Sequence, residues 1–356
     1  MTLPTRTLPK AAKKAHTFEI HGDVRIDNYH WMRLTDAQKE AETPDAQTTE
    51  VLDYLNAENS FFESEMLHTE PFQKSLFEEM KGRIKEDDSS VPYKSNGYFY
   101  ITRFEQGKQY PIYTRKKETL EAPEEILFDV NEMAEGYEYY TLGGLSISPD
   151  NSKAIYGVDT VSRRQYILYV KDLGTGEIYK DTIHNTTGGG VWANDNRTFF
   201  YTKKDAETLR SNQIYRHVLG TDASEDVLVY EEKDETFNVY VTKSKSKDYL
   251  VIGSYSTVST EYQLLDAATP FGDFKIFQER ERDLEYSISH YGAHFYVLTN
   301  KDAATNFKLM RTPIENTQKE YWEDVIAHRD DVLLEDISIF KNYLVLEERS
   351  NGLNKI

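Results

Sequence analysis

The chain has 356 residues, a formal net charge of −19 and no cysteine, which excludes a disulfide scaffold and a thiolate metal site. So acidic a surface repels polyanions, which argues against a nucleic-acid partner, and it attracts basic peptides. No run reaches the ~18 apolar residues of a membrane span, and the basic stretch 1–14 lacks the apolar core of a signal peptide. We therefore predict a cytoplasmic protein without a membrane partner.

The first part of the chain has helical periodicity, and we predict that residues 1–85 form a helical N-terminal segment. Pro44 suits the first position of a helix, with Thr43 as its N-cap. Apolar residues then recur every three or four positions along two successive helices. These residues are Val51, Leu52, Leu55, Phe62, Met66, Phe72, Leu76, Met80 and Ile84.

From residue 86 onward the apolar pattern changes to period two, which is typical of strands. An apolar strand recurs six times at intervals of 44–56 residues, and five of the copies are followed by a second alternating strand. The copies are GYFYITR (97–103), KAIYGVD (153–159), RTFFYTK (197–203), DYLVIGS (248–254), AHFYVLT (293–299) and NYLVLEE (342–348).

An all-strand repeat of this length fits the four-stranded blade of a β-propeller. Six blade starts are visible, and the last copy reaches Ile356 before its sheet is complete. We therefore predict that residues 86–356 form an incomplete β-propeller and that the chain is a fragment. A large sandwich with regularly spaced strands is the alternative fold.

No catalytic motif is recognisable along the chain. The stretch GGLSISPD (143–150) contains Ser146 and Ser148, but it lacks the G-x-S-x-G spacing and the strand-to-helix context of a nucleophile elbow. Read as one strand, His290 and His294 stand ~13 Å apart, too far to share a metal ion. We predict no catalytic residue, no metal site and no cofactor.

The triple glycine 188–190 precedes a predicted strand rather than a helix, so it lacks the helix N-terminus that binds anions. We interpret these glycines as a β-bulge or a tight approach toward the propeller axis.

Several segments together carry a resemblance to a known family. They are HTFEIHGDVRIDNYHWMR (16–33), VLDYLNAEN (51–59), GRIKEDDSSVPY, LGGLSISPDNSKAIYGVDTVSRRQY, VWANDNRTFFY, YEEKDETFNVYVTKSKSKDYLVI and WEDVIAHRDDVLLEDISIF. They resemble the prolyl oligopeptidase family of peptidases, and its oligopeptidase B branch most of all. The resemblance covers essentially the whole chain.

The resemblance implies a mainly β fold, in which a helical N-terminal segment precedes a seven-bladed propeller and an α/β-hydrolase domain follows it. It implies a serine-type oligopeptidase that cleaves short peptides after Arg or Lys, with the propeller limiting substrate size. The family places its Ser, Asp and His in the hydrolase domain, which is absent here. This chain alone is therefore expected to be inactive, and short basic peptides and the missing hydrolase domain are its expected partners.

The resemblance also suggests contacts between domains. Arg163 and Arg164 match an arginine pair of the family, and Glu138 is a further acidic candidate for an interdomain or substrate-gating contact. If the two arginines share a strand, alternation places them on opposite faces, so only one of them points into the cavity. The alternative function is a non-catalytic β-propeller that presents a protein-interaction face.

Overall fold

A computed structural model of the protein describes residues 8–356, so residues 1–7 of the predicted N-terminal segment lie outside the described part. The chain divides into two compact units, one ending at Glu86 and the other beginning at Asp87. In the described residues, no helix combines the length and the apolar composition needed to cross a bilayer.

The first unit contains helices, as predicted, and also a hairpin that the sequence analysis missed. The hairpin consists of β1 (His16–Ile20) and β2 (Asp23–Asp27), and the helices are α1 (Asp36–Glu40), α2 (Ala46–Met66) and α3 (Glu70–Gly82). At the turn of the hairpin, His21 and Gly22 both have positive φ, which is the geometry of a two-residue primed turn.

The predicted start of α2 is wrong by two residues. Asp45, and not Thr43, is the N-cap, because an Asp45 carboxylate oxygen accepts a hydrogen bond from the Thr48 amide at 2.7 Å. Pro44 therefore lies before the helix.

Most of the apolar stripe on α2 and α3 is exposed within this unit. Val51 is buried, but Phe62 and Phe72 are 62% and 68% exposed. Leu76 and Met80, one turn apart on α3, are also exposed. Exposed apolar side chains at helical spacing are typical of a surface that another structure covers.

The second unit is a succession of six antiparallel blades, each a meander in strand order; they form five sheets, because blades 2 and 3 share one sheet of seven strands. Blade 1 comprises β3 (Tyr93–Ser95), β4 (Tyr98–Arg103), β5 (Ile112–Lys117) and β6 (Glu124–Asp129), followed by the short α4 (Val130–Met133). Blade 2 comprises β7 (Thr141–Ile147), β8 (Lys153–Asp159), β9 (Tyr166–Asp172) and the first part of β10 (Ile178–Trp192). Blade 3 comprises the rest of β10, β11 (Thr198–Lys204), β12 (Ser211–Val218) and β13 (Val227–Glu231).

The remaining blades follow the same pattern. Blade 4 comprises β14 (Asn238–Lys243), β15 (Tyr249–Tyr255), β16 (Thr260–Asp266) and β17 (Lys275–Gln278). Blade 5 comprises β18 (Tyr286–Tyr291), β19 (His294–Thr299), β20 (Lys308–Pro313) and β21 (Glu323–Ile326). Blade 6 has three strands among the described residues, β22 (Leu333–Ile339), β23 (Leu344–Ser350) and β24 (Leu353–Lys355).

The six strands that the repeat predicted are the second strands of the six blades. All of them begin within two residues of the predicted position. One continuous strand, β10, joins blades 2 and 3, because its first part pairs with β9 and its last part pairs with β11.

Buried apolar clusters lie at each of the five successive interfaces between blades. The alternation within one strand explains how both interfaces are filled. In β11, Phe199 packs in the cluster with blade 2, whereas Phe200 packs in the cluster with blade 4. A strand between two sheets has apolar residues on both faces, so its sequence is nearly continuously apolar.

The meander gives the second unit two distinct ends. The loop end carries the turns between the second and third strands and the connections from one blade to the next, such as 134–140 and 160–165. The hairpin end carries the turns between the first and second strands, such as 148–152 and 244–248. Antiparallel order alone determines which residues share an end.

Candidate interdomain site

A buried aspartate organises the turn that carries the two predicted arginines. Asp159, the last residue of β8, is 1% exposed. Its carboxylate accepts hydrogen bonds from three backbone amides, those of Val161 (2.9 Å), Ser162 (3.1 Å) and Arg164 (2.7 Å). Since one carboxylate satisfies three amides, the turn 160–165 has a defined conformation.

Arg163 and Arg164 lie in this turn and not in a strand, because β9 begins only at Tyr166. The expectation that the two arginines occupy opposite faces of a strand is therefore wrong. Both side chains are exposed, and neither guanidinium has an ion pair or hydrogen bond among residues 8–356. The Lys204 ammonium donates to the Arg164 carbonyl oxygen at 2.8 Å, and burial followed by the Arg164 charge lowers the pKa of Lys204.

Glu138 lies at the same end of the second unit as the arginines. It is exposed in the connection between blades 1 and 2, three residues before Thr141. Thr141 is the strand partner of Asp159, which places the two segments side by side. In the described part of the chain Glu138 makes no ion pair with either arginine. The structure thus places the three predicted residues at the loop end of the second unit, but their charged groups form no ion pair with one another.

A buried ion cluster on the loop end was missed by the sequence analysis. Arg280 Nη2 lies 2.6 Å from Glu232 Oε2 and 3.2 Å from Glu261 Oε1, and its guanidinium lies over the Phe237 ring at 4.1 Å. Burial alone would raise the pKa of Glu232, but the Arg280 hydrogen bond lowers it overall. No spacing rule identifies partners 19 and 48 residues apart.

Ser146 and Ser148 lie in a strand and in a turn of blade 2. Ser148 is fully buried and its hydroxyl donates to Asp150 at 2.5 Å, within the turn between β7 and β8. The end of the stretch GGLSISPD (143–150) therefore lies in a turn, as its sequence indicates. Ser146 lies within β7.

One Ser–His contact resembles part of a catalytic triad, but its geometry rules the triad out. Ser246 Oγ lies 2.8 Å from His290 Nδ1, and Asp248 Oδ2 lies 3.4 Å from the same nitrogen. In a triad the acid and the serine contact opposite ring nitrogens. Here Nε2 is buried without a hydrogen-bond partner. The group therefore cannot relay a proton from serine to carboxylate.

The two histidines of the rejected metal pair occupy different strands. His290 is in β18 and His294 begins β19, so the distance estimated along one strand was wrong. In residues 8–356, no group of three His, Asp or Glu side chains has the arrangement of a metal site.

The triple glycine lies within β10, where the register shifts between Thr186 and Gly190. Gly188 has φ +94°, and the backbones of Gly144 and Gly157 approach it closely. The interpretation as a β-bulge is confirmed, and the close approach is between the backbone of Gly188 and those of Gly144 and Gly157.

Comparison with known proteins agrees with this architecture. The family model described as "Prolyl oligopeptidase, N-terminal beta-propeller domain" matches residues 9–356. Dipeptidyl aminopeptidase BI of Pseudoxanthomonas mexicana is 40% identical, across 98% of this chain and 49% of the relative. Protease 2 of Moraxella lacunata is 32% identical over 98% of this chain and 49% of its own length.

Solved structures of oligopeptidase B share the fold of this chain. Oligopeptidase B from Leishmania major aligns with a TM-score of 0.86 and 31% identity, across 98% of this chain and 50% of that structure. Oligopeptidase B from Trypanosoma brucei, in its closed form with covalently bound antipain, aligns with a TM-score of 0.84 and 28% identity, over 97% of this chain and 50% of that structure. The chain spans about half the length of the curated relatives it matches. It belongs to the prolyl oligopeptidase family of peptidases, of which it comprises the N-terminal propeller region.

Proposed function

We propose that this chain is the gating part of a cytoplasmic serine oligopeptidase that cleaves short peptides after Arg or Lys. The observation that carries the proposal is the family match over residues 9–356, combined with a span of only half the relatives' length. The similarity to oligopeptidase B structures and the net charge of −19, which favours basic substrates, support the specificity.

The catalytic groups belong to an α/β-hydrolase domain outside these residues. In the first unit, the exposed stripe that includes Phe62, Phe72 and Met80 is suited to pack against such a domain. On the second unit, the loop end presents Arg163 and Arg164 without a carboxylate partner among residues 8–356, and it is the surface that we assign to the interdomain contact.

The test uses the complete polypeptide that the coding region specifies, assayed on peptides of about 4 to 30 residues with Arg, Lys, Pro or Ala before the scissile bond. We expect cleavage after Arg and Lys in the short peptides only, because a covered cleft excludes longer chains and folded proteins. Equal rates on all four residues would contradict the specificity. No cleavage at all would favour a non-catalytic interaction module.

The name of the relative from Pseudoxanthomonas mexicana raises a second candidate activity, the release of dipeptides. Each substrate is therefore tested with a free and with an acetylated amino end. A dipeptidyl aminopeptidase requires the free amine, whereas an endopeptidase accepts both forms. Loss of cleavage when the amino end is acetylated would contradict the endopeptidase proposal and favour the release of dipeptides.

The arginine turn gives a prediction of its own. Arg163→Ala and Arg164→Ala, combined in the complete polypeptide, are expected to lower kcat/KM by about tenfold, because a lost charge-assisted contact is worth about 1.5 kcal/mol. Asp159→Ala is expected to have a similar effect by loosening the turn. Arg197→Ala, at an exposed position in the turn between β10 and β11 on the hairpin end, is the control. Unchanged kcat/KM in the double variant would show that both arginines are ordinary surface charges.

A further inference from the structure

The turn between β14 and β15, residues 244–248, contacts four other blades at the hairpin end, and we call it the central turn. The Lys247 ammonium donates to the side-chain oxygen of Asn96 in blade 1. The side-chain amide of Asn194 in blade 3 donates to the Lys247 carbonyl oxygen at 3.1 Å. One residue of the central turn therefore connects blade 4 to blades 1 and 3.

Two further residues of the central turn extend these contacts to blades 5 and 6. Lys245 Nζ lies over the ring of Phe340 in blade 6, 3.4 Å from the ring centre. Ser246 Oγ lies 2.8 Å from Nδ1 of His290 in blade 5. A movement of this one turn would therefore break contacts with several blades at once.

The backbone of the central turn is strained at one position. Lys247 has φ +70°, in the left-handed region, where a Cβ atom crowds the following carbonyl oxygen. Within the turn, the Lys247 amide donates to the Ser244 carbonyl oxygen at 2.8 Å, and the Tyr249 amide donates to Ser244 Oγ at 3.0 Å. A strained backbone keeps its conformation only while the surrounding contacts hold it.

His290 is the contact of the central turn whose charge changes near neutral pH. Its side chain is buried, and its ring centre lies 4.8 Å from that of Tyr249 and 4.9 Å from that of Phe295. On the Nδ1 side, the ring meets Ser246 Oγ and, at 3.4 Å, the Asp248 carboxylate. Nε2, on the other side, is buried without a hydrogen-bond partner.

This environment suits a neutral imidazole and not an imidazolium. With its proton on Nδ1, the neutral ring donates to the Ser246 hydroxyl, whereas protonation adds an N–H at Nε2 that meets no acceptor. Burial lowers the pKa of His290, although the charge of Asp248 and then the backbone of Gly292 favour the charged form.

The other groups beside the ring do not offset this cost. Lys245 and Lys247 of the central turn carry charge of the same sign as an imidazolium. Tyr249 is neutral, since burial raises its pKa, and Phe295 has no charge. Among residues 8–356, the carboxylate within 4.0 Å of the imidazole is that of Asp248, whose side chain is 62% exposed, so water screens its charge.

We propose that the central turn is an acid-sensitive latch, in which protonation of His290 releases residues 244–248 and with them the contacts to blades 1, 3, 5 and 6. The released turn gives the imidazolium access to water. Because the closed state binds the proton less readily than the open state, the population of the open state rises as the pH falls below 6.5. The latch lies at the hairpin end, so it does not depend on the proposed peptidase function.

Hydrogen–deuterium exchange of the complete polypeptide, read by mass spectrometry at about pH 7.5 and at about pH 5, tests the latch. After correction for intrinsic exchange rates, we expect the protection of the central turn to fall about tenfold at the lower pH. Each pH unit below 6.5 favours the open state by at most about tenfold. The turn 148–152, which has the same place in blade 2 and is held by bonds to Asp150, should keep its protection.

His290→Asn retains an N–H donor near the position of Nδ1 but does not titrate, so its central turn should be equally protected at both pH values. His294→Asn is the matched control, because it removes the neighbouring histidine at the start of β19 and should leave the tenfold change intact. Equal protection of the wild-type central turn at both pH values would overturn the proposal. So would an equal fall in the turn 148–152, a pH effect that persists in His290→Asn, or one that disappears in His294→Asn.

Discussion

Replacing Gly157 by alanine is expected to lower the free energy of unfolding by about 3 kcal/mol or more, one of the largest effects of a single methyl group in this chain. A Cβ atom at residue 157 would stand 2.5 Å from the Gly188 Cα atom. Gly157 is paired on both sides, with Gly143 of β7 and Leu168 of β9, so its backbone cannot move away. Denaturation of the complete polypeptide by urea measures the loss.

Gly189→Ala is the matched control, because a Cβ atom at that position meets nothing closer than 3.6 Å. We expect a change within about 0.5 kcal/mol for the control. The Tyr166 ring lies against Gly188, and Tyr166 directly follows the turn 160–165, so Gly157→Ala should also disturb the arginine turn. Equal stability of the two alanine variants would contradict the close approach of the three glycine backbones.

His217→Gln is expected to cost about 3–5 kcal/mol of unfolding free energy near pH 6, because it breaks a buried charge cluster. His217 is fully buried on β12, with Nδ1 2.6 Å from Asp226 Oδ1 and Nε2 3.4 Å from Asp181 Oδ2. Asp181 comes from β10, so the cluster connects blades 2 and 3. Without the imidazolium, two buried carboxylates lose their positive partner.

The pH dependence of this effect follows from the direction of the pKa shift. Burial alone would lower the pKa of His217, but the hydrogen bond and charge of Asp226, followed by the nearby charge of Asp181, raise it above 6.5. A raised native pKa gives stability that is fully present below the unfolded pKa of 6.5 and is lost as pH rises through the native pKa. The difference between wild type and His217→Gln should therefore shrink from pH 6 to alkaline pH.

His184→Gln provides the control, since His184 is exposed on the same strand that carries Asp181. The same urea titration at pH 6 should give a change within about 0.5 kcal/mol for this variant. A pH-independent difference for His217→Gln would contradict an imidazolium between the two aspartates.

The second strands of blades 2 to 5 could be predicted from the sequence because each one is covered on both faces. Phe199 and Phe200 illustrate the reason. These adjacent residues fill different interfaces, so the strand is apolar along its whole length, and such strands recur at the spacing of the blades. The continuity of β10 across two blades could not be predicted, because its glycines interrupt the apolar pattern at the point where it changes partner. The hairpin β1–β2 was missed although Phe18 and Ile20, and then Val24 and Ile26, alternate with polar residues on either side of its turn.

The charged sites were the least predictable part of the fold. Glu261 and Arg280 flank the paired residues Tyr262 and Gln278 of blade 4, and Glu232 joins them from the end of blade 3. Nothing in their local sequence indicates this meeting. Asp159 did leave a signal, since an aspartate at a strand end before Ser162 is typical of a turn in which the side chain bonds the backbone. That signal would have placed Arg163 and Arg164 in a turn rather than in a strand.

The central claim is that these 356 residues position and admit substrate while the reacting groups lie elsewhere in the protein. A fluorophosphonate that reacts with activated serines, followed by mass-spectrometric mapping of the labelled peptide, tests it most directly. In the complete polypeptide we predict a single labelled serine outside residues 1–356, and no label on the 356-residue chain alone. A labelled serine within residues 1–356, such as Ser148 or Ser246, would contradict the account.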